Sequence, residues 1–227
     1  MPEIHFILVE PAVPENIGSA ARAVKTMGFS ELCLVDPKGY PDKKAEIIAH
    51  GANEILDNAR IVQSLAEAIE NMDFVIGTTA KNRAVHHDYY TAGETVGIIR
   101  DKGSTIKNIA FVFGREESGL SNSELQLCQL VSYLPARVSY PSLNLAQAVM
   151  LYAYVLSEGL AAIQEPEYVD LCLSEHKILL ERASALLQHL GFDPGSNIYK
   201  RFMERIAVAG QDDVHLMLSF LNKMNNA

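Results

Sequence analysis

The chain has 227 residues, 48% of them hydrophobic and 21% charged, with a formal net charge of −9. That is enough apolar material for one large domain, or a domain with a small appendage, and it excludes a mainly disordered chain. The acidic balance, with a pI near 5.2, excludes a protein that grips nucleic acid over its whole surface, while local basic sites stay open to it.

No segment approaches the roughly 18–20 uninterrupted apolar residues of a membrane span. The nearest, Leu143 to Leu156, is interrupted by Asn144 and Gln147, so no membrane partner is expected. The opening MPEIHFILVEP has no basic stretch before its apolar run and does not read as a signal peptide, so the cytoplasm is the expected location. Cys33, Cys128 and Cys172 are odd in number and widely spaced, without a CxxC pair. They read as reduced, small core residues, with neither a zinc site nor a disulfide frame.

In chain order, Ile4 to Glu10 is a short apolar run stopped by Pro11, and Asn16 to Met27 follows with helical spacing. Asn16 is read as its N-cap and Gly28 as its stop. Leu32 to Val35, Asp73 to Gly77, Ile109 to Phe113 and Val131 to Leu134 are further strand candidates. Ser64 to Asn71 and Ser121 to Cys128 read as helices between them. Continuous apolar strands separated by helices predict an α/β domain with a mostly parallel sheet and helices on both faces. Ser142 to Leu160 predicts a long helix, apolar almost all round, that needs cover on more than one side. At QEPEYVD (164–170) the texture turns polar, and three helices follow, Leu173 to Leu190, Ile198 to Ala209 and Val214 to Lys223. The chain therefore divides into a domain over 1–164 and a helical extension over 165–227.

Three stretches carry polar groups where a parallel sheet binds ligands. In ENIGSAARAVKTMG (15–28), Gly18, Arg22 and Lys25 fall at i, i+4 and i+7 and share one face, opposite Ile17, Ala21 and Val24. On spacing alone that face reads as solvated surface. In FVFGREESGL (111–120) a buried strand runs into Gly114, Arg115, Glu116 and Glu117. Ligands sit at the carboxyl ends of such strands. Gly114 permits close backbone approach and Arg115 suits a phosphate, while Glu116 and Glu117 suit capping of the next helix. A plain strand-to-helix turn with an ion pair explains the same residues. In YPSLNLAQAV (140–149), Ser142 or Asn144 caps the coming helix on the simplest reading.

Together and in this order, NIGSAARAVKTMGF, VFGREESGL and SLNLAQAV resemble the three signature motifs of the SpoU branch of the SPOUT RNA methyltransferases, over roughly residues 3–160. The chain looks most similar to the subgroup of tRNA and tRNA/rRNA 2′-O-methyltransferases. The resemblance implies a C-terminal trefoil knot, S-adenosylmethionine as cofactor with S-adenosylhomocysteine as product, and no metal. It also implies an RNA substrate, tRNA before rRNA at an anticodon-loop position, and a homodimer with the active site at the subunit interface.

Residue by residue, Asn16, Arg22, Glu116, Ser142 and Asn144 match catalytic positions of the motifs. Cofactor contact is implied at Thr78, Thr79, Ala80, Gly114, Leu134, Pro141, Ser142 and Leu143. RNA contact is expected at Arg22, Lys25, Lys81, Arg83 and Arg115. The stretch from Lys81 through His86, His87, Tyr89 and Tyr90 departs from the closest subgroup and reads as a basic, aromatic RNA contact. Adjacent histidines without a partner carboxylate make a poor metal site.

Accounts of the family name the arginine at position 22 as the base. A guanidinium with a pKa above about 12 makes a poor one. Orientation of the hydroxyl and its neighbouring phosphate suits Arg22 better. Two other readings stand beside this one. The acidic pI fits a non-catalytic RNA-binding or assembly protein on the same scaffold. A nucleotide-dependent oxidoreductase would need the spaced glycines of G-x-G-x-x-G, which ENIGSAAR lacks.

Overall fold

The computed structural model describes residues 2–80, 88–135, 143–161 and 175–224. In chain order these form β1 (Glu3–Val9), α1 (Pro14–Thr26), β2 (Glu31–Val35), α2 (Lys43–Ile48), α3 (Asn53–Asp57), β3 (Arg60–Val62), α4 (Leu65–Ile69), β4 (Phe74–Thr79), β5 (Tyr90–Thr91) and α5 (Ala92–Lys102). They continue with β6 (Asn108–Phe113), α6 (Asn122–Gln126), β7 (Leu130–Tyr133), α7 (Leu145–Leu160), α8 (Glu175–His189), α9 (Asn197–Ala207) and α10 (Gln211–Met224).

The seven strands make one sheet in the order β3-β2-β1-β6-β4-β7-β5, and every pairing among the described residues is parallel. The period of two in each strand explains why both faces are covered. Ile4, Phe6 and Leu8 of β1, with Ile109, Phe111 and Phe113 of β6, join one apolar cluster with residues of α1, α2, α3, α5 and α7. Ile7 and Val9 of β1, with Ala110 and Val112 of β6, point the other way, onto Leu65 and Ala68 of α4 and Leu125 of α6. Each fully buried Leu, Ile, Val or Phe contributes about 1.5–3 kcal/mol.

Helix α1 is enclosed more than its sequence implies. Ile17, Ala20, Ala21 and Val24 are buried, and so is Gly18. A Cβ on Gly18 would run into the carbonyl oxygen of Ala45 in α2, so a glycine is required there for the helices to meet. The expected polar face of Gly18, Arg22 and Lys25 is therefore covered at its start by α2. At its end Lys25 donates to the carbonyl of Gly51 at 2.7 Å and pairs with Glu54 of α3. Arg22 alone of the three stays exposed without a partner among the described residues.

Further features go beyond the sequence expectations. Helix α5 and the short elements α2, α3, β3 and β5 carry no periodicity long enough to read. The last three helices pack around their own apolar cluster of Leu179, Ala183, Ile206, Ala209, Val214 and Leu221. They also dock on the α/β domain through Lys102, the last residue of α5. The Lys102 amine is fully buried, 3.2 Å from Nε2 and 3.3 Å from Nδ1 of His176, 3.2 Å from the Ala209 carbonyl oxygen and 4.5 Å from the centre of the Phe74 ring. Burial pulls its pKa down to about 7. Burial, and then Lys102 itself, pulls His176 down to about 3. Both buried cysteines among the described residues, Cys33 and Cys128, are free thiols raised by burial, Cys128 to about 12, as core residues should be.

Candidate active site

The carboxyl ends of β1, β4, β6 and β7 bring their loops to one edge of the sheet. Parallel sheets bind ligands at this edge, because strand ends and helix N-termini converge there. Beside it lies a cavity of about 400 Å³ lined by Thr78 and Thr79 at the end of β4 with Ala80 after it, by Phe113 at the end of β6 with the turn 114–120, and by Leu134 after β7. Leu143, Leu145, Ala148 and Tyr152 close it from the α7 side. Of the expected cofactor positions, Thr78, Thr79, Ala80, Gly114, Leu134 and Leu143 all line this one cavity. Pro141 and Ser142 lie outside the described residues, as do Lys81, Arg83, His86 and His87. Sequence reasoning missed Tyr152 and Ala148, which look like ordinary core positions on an apolar helix.

The turn after β6 has a strict backbone requirement. Arg115 and Gly119 face each other across an antiparallel bridge, and Gly119 takes a φ of +67°. A Cβ on Gly114 would run into the backbone of Gly119 and Leu120. Glycine is needed at both places for the turn to fold back on itself at the cavity wall.

Arg115 holds this turn in place. Its Nε donates to Glu10 Oε2 at 3.1 Å, and Nη1 donates to Glu124 Oε2 at 3.0 Å and to the Gly119 carbonyl at 3.4 Å. Nη2 donates to Glu124 Oε1 at 2.9 Å and to Glu10 Oε1. All five guanidinium N–H groups are thus used inside the protein. An RNA contact of Arg115, as expected from the sequence, would have to displace or share one of these bonds. Hydrogen bonds to Glu124 and Glu10 raise its pKa further above the usual arginine value. Glu10, at the end of β1, takes a φ of +46°, a strained position for a residue with a Cβ, and its carboxylate is fixed by Arg115.

Glu116 has a different role from the one its position in the chain suggests. The helix after it, α6, is capped by its own Ser121 and Glu124. Glu116 instead accepts from the backbone N–H groups of Ala12 at 3.1 Å and Val13 at 3.2 Å, and from Asn16 Nδ2 at 2.9 Å. It thereby supplies a carboxylate to the N-terminus of α1, where Val13 gives no side-chain cap. Burial opposes the charged form of Glu116, but the bonds from Asn16, Ala12 and Val13 outweigh it and hold the carboxyl below its usual range.

Asn16 is therefore not the N-cap of α1. Pro14 opens that helix and Asn16 lies inside its first turn, nearly buried. Its side chain is a link. Asn16 Nδ2 donates to Glu116, and Asn16 Oδ1 accepts from Asn144 Nδ2 at 2.8 Å. Asn144 meanwhile caps α7 through Ala146 N at 2.9 Å and a capping box with Gln147. A single chain of hydrogen bonds, Glu116–Asn16–Asn144, thus joins all three sequence stretches beside the cavity. Arg22 stands apart from it, exposed, about 9 Å further along α1.

The comparisons with known proteins agree with this geometry. The SpoU rRNA Methylase family matches residues 3–154. The chain is 40% identical over 221 residues to LasT of Escherichia coli (strain K12), described as an uncharacterized tRNA/rRNA methyltransferase, covering 96% of each protein. It is 42% identical over 151 residues to TrmJ of Pectobacterium atrosepticum, named a tRNA (cytidine/uridine-2′-O-)-methyltransferase, covering 66% of this chain and 62% of that one. The chain thus spans less than two thirds of that relative's length. Among solved structures, TrmJ of Z. mobilis ZM4 superposes with a TM-score of 0.66 at 28% identity, over 99% of both chains. Motifs, parallel sheet and whole-length likeness meet in one conclusion: this chain belongs to the SpoU rRNA Methylase family.

Proposed function

We propose that the protein is an S-adenosylmethionine-dependent RNA methyltransferase acting on a ribose 2′-hydroxyl, with tRNA as the leading substrate. The observation that carries this reading is the Glu116–Asn16–Asn144 chain beside a cavity lined by Thr78, Gly114, Leu134 and Leu143. The name of the TrmJ relative supplies the 2′-oxygen and the tRNA.

The cavity suits the cofactor in size and lining. At about 400 Å³ it is within the roughly 300–1,000 Å³ of small-molecule sites. Leu134, Leu143, Leu145 and Ala148 offer an apolar wall for a nucleobase, and the backbone of the Gly114 turn comes close enough to bind polar groups. When bound, S-adenosylmethionine supplies an electrophilic methyl group on a sulfonium. The residues of this chain then position and orient. Glu116 is held ionised by three donors, so it is a weak proton acceptor, and its work is to fix α1 and Asn16. Arg22 orients the hydroxyl and an adjacent phosphate.

Arg22 does not line the cavity of its own chain. A homodimer in which a second copy brings its Arg22 to the cavity accounts for that separation. It also accounts for Leu151 and Tyr154, exposed on α7 at 41% and 51%. We further read the chain as a SPOUT trefoil-knotted domain over 1–164 and a helical extension over 165–227, with a cytoplasmic location. No helix among the described residues is long and apolar enough to cross a membrane.

The test is methyl transfer from radiolabelled S-adenosylmethionine to bulk tRNA and rRNA that lack the modification. Incorporation that alkaline hydrolysis maps to a ribose 2′-oxygen is expected. Cofactor binding without incorporation into either pool would sink the reading and favour the non-catalytic RNA-binding alternative. Arg22→Ala should cut the rate by about 100-fold or more while leaving cofactor affinity near wild type. Equal losses in both would argue against its role.

A further inference from the structure

Two arginines of α9, Arg201 and Arg205, reach the residues just before β5. Arg201 Nη1 donates to Asp88 Oδ2 at 2.6 Å, and Arg205, one turn on, lies 3.6 Å from the same oxygen. Arg201 also lies 3.6 Å from Glu204. Asp88 stands two residues before Tyr90, the first residue of β5.

That strand has a short ladder, beside the packing of Tyr89 and Tyr90 on the two apolar clusters. It is two residues long, last in the strand order, and among the described residues pairs with β7 alone, Tyr90 against Ser132 and Thr91 against Tyr133. So short an edge strand is marginal by itself. Its far end is secured by Thr91, which caps α5 in a capping box with Glu94, and by the 2.8 Å contact of Thr95 Oγ1 with Ser132 Oγ. Its near end is secured by Asp88. The partner strand β7 is the one that matters for the site. Ser132 and Tyr133 pair on their other side with Thr78 and Thr79 of β4, and the next residue is Leu134. Thr78, Thr79 and Leu134 all line the cavity.

We propose that Arg201, seconded by Arg205, is a positioning residue for the cofactor cavity: by holding Asp88 it seats β5 on β7 and so fixes the wall made by Thr78, Thr79 and Leu134. The helical extension then acts on the reaction through the sheet edge, without touching RNA with these arginines. The inference rests on reading the cavity as the S-adenosylmethionine site.

The experiment is calorimetric titration of S-adenosylmethionine into the full-length wild type, Arg201→Ala, Asp88→Asn, their double variant and the reversed pair Asp88→Arg/Arg201→Asp. All are measured well below each variant's unfolding midpoint, with RNA KM and kcat alongside. Each single variant should raise Kd about twofold to fivefold, the range open to a partly exposed ion pair. The double should raise it no further, and the reversed pair should recover part of the loss. Lowered unfolding midpoints with unchanged Kd would overturn the proposal, reducing the contact to a structural one. A raised RNA KM in Arg201→Ala, with Asp88→Asn silent, would also overturn it, making Arg201 an RNA contact. Failure of the wild type itself to bind S-adenosylmethionine would instead refute the reading of the cavity, and the proposal with it.

Discussion

Replacing Lys102 with Met should change how stability depends on pH. The Lys102 pKa falls from 10.5 in a solvated lysine to about 7 in the fold. A depressed folded value means that the unfolded chain binds the extra proton, so stability is fully present above 10.5 and is lost as pH falls toward 7. Between pH 7 and about 9.5 unfolding takes up close to one proton at this site. Each pH unit is then worth about 1.4 kcal/mol, and the interval roughly 3 kcal/mol, allowing for half-protonation at its lower end. For a chain of this size, 1 kcal/mol moves the unfolding midpoint by about 2–4 °C. Methionine matches the length of the lysine stem and lies well on Phe74, but it gives up the hydrogen bonds to His176 and Ala209. The assay is thermal unfolding of both proteins from pH 7 to 9.5 in constant salt. The gap between wild type and Lys102→Met should shift by roughly 3 kcal/mol across that range, in favour of the wild type as pH rises. Two parallel curves would refute the reasoning, because they would mean that the amine is solvated or that the helices α8 to α10 do not cover it.

Substitutions at three other positions test the site. Glu116→Gln should lower stability by about 1–3 kcal/mol near neutrality, since the amide cannot accept from Ala12, Val13 and Asn16 together, and chemical denaturation reads it. Because the folded Glu116 pKa lies below 4.5, its contribution is present above that pH and disappears as acid is added, so the two proteins should converge in strong acid. Gly114→Ala forces the 114–120 turn to open against its own backbone, and calorimetry should show cofactor affinity reduced more than tenfold. A folded Gly114→Ala protein with wild-type affinity would contradict the close approach. Asn144→Ala should cost about 1 kcal/mol as a lost cap of α7. Asn144→Asp, which keeps the cap but sets a carboxylate oxygen against Asn16 Oδ1, should retain that stability and still lose methyl transfer, separating the cap from the link.

What the sequence made readable was local. The strands around Phe6, Phe74 and Phe111 announce themselves as apolar runs, and Gly28 ends α1 as a C-terminal glycine should, with a φ of +83°. Helix α5 went unread because AGETVGIIRDK mixes two glycines with β-branched residues. Its one clear signal was the Thr91-x-x-Glu94 capping box. Asn16 was misread as a cap because the true cap, Glu116, arrives from 100 residues away. No local rule reports such a partner. The partners of Arg115 were hidden for the same reason: a lone arginine after a strand looks available until Glu10 and Glu124 are folded against it. The partner of Arg201, Asp88, is likewise 113 residues distant, beyond the reach of any local rule.

The hydrogen-bond chain through Asn16 also has a consequence for biosynthesis. Asn16 and Asn144 are separated by 128 residues, so at about 5–20 residues per second the ribosome delivers the second roughly 6–26 s after the first. During that interval α1 has Glu116 for its last part at most, and nothing of α7 to cover Ile17, Ala21 and Val24. The cavity is closed by the final helix of the domain to be made, so cofactor cannot assist the early steps of folding. Nascent chains shorter than about 145 residues would lack the α7 part of the cover on one face of the sheet, and they are the species on which a chaperone would be expected to act.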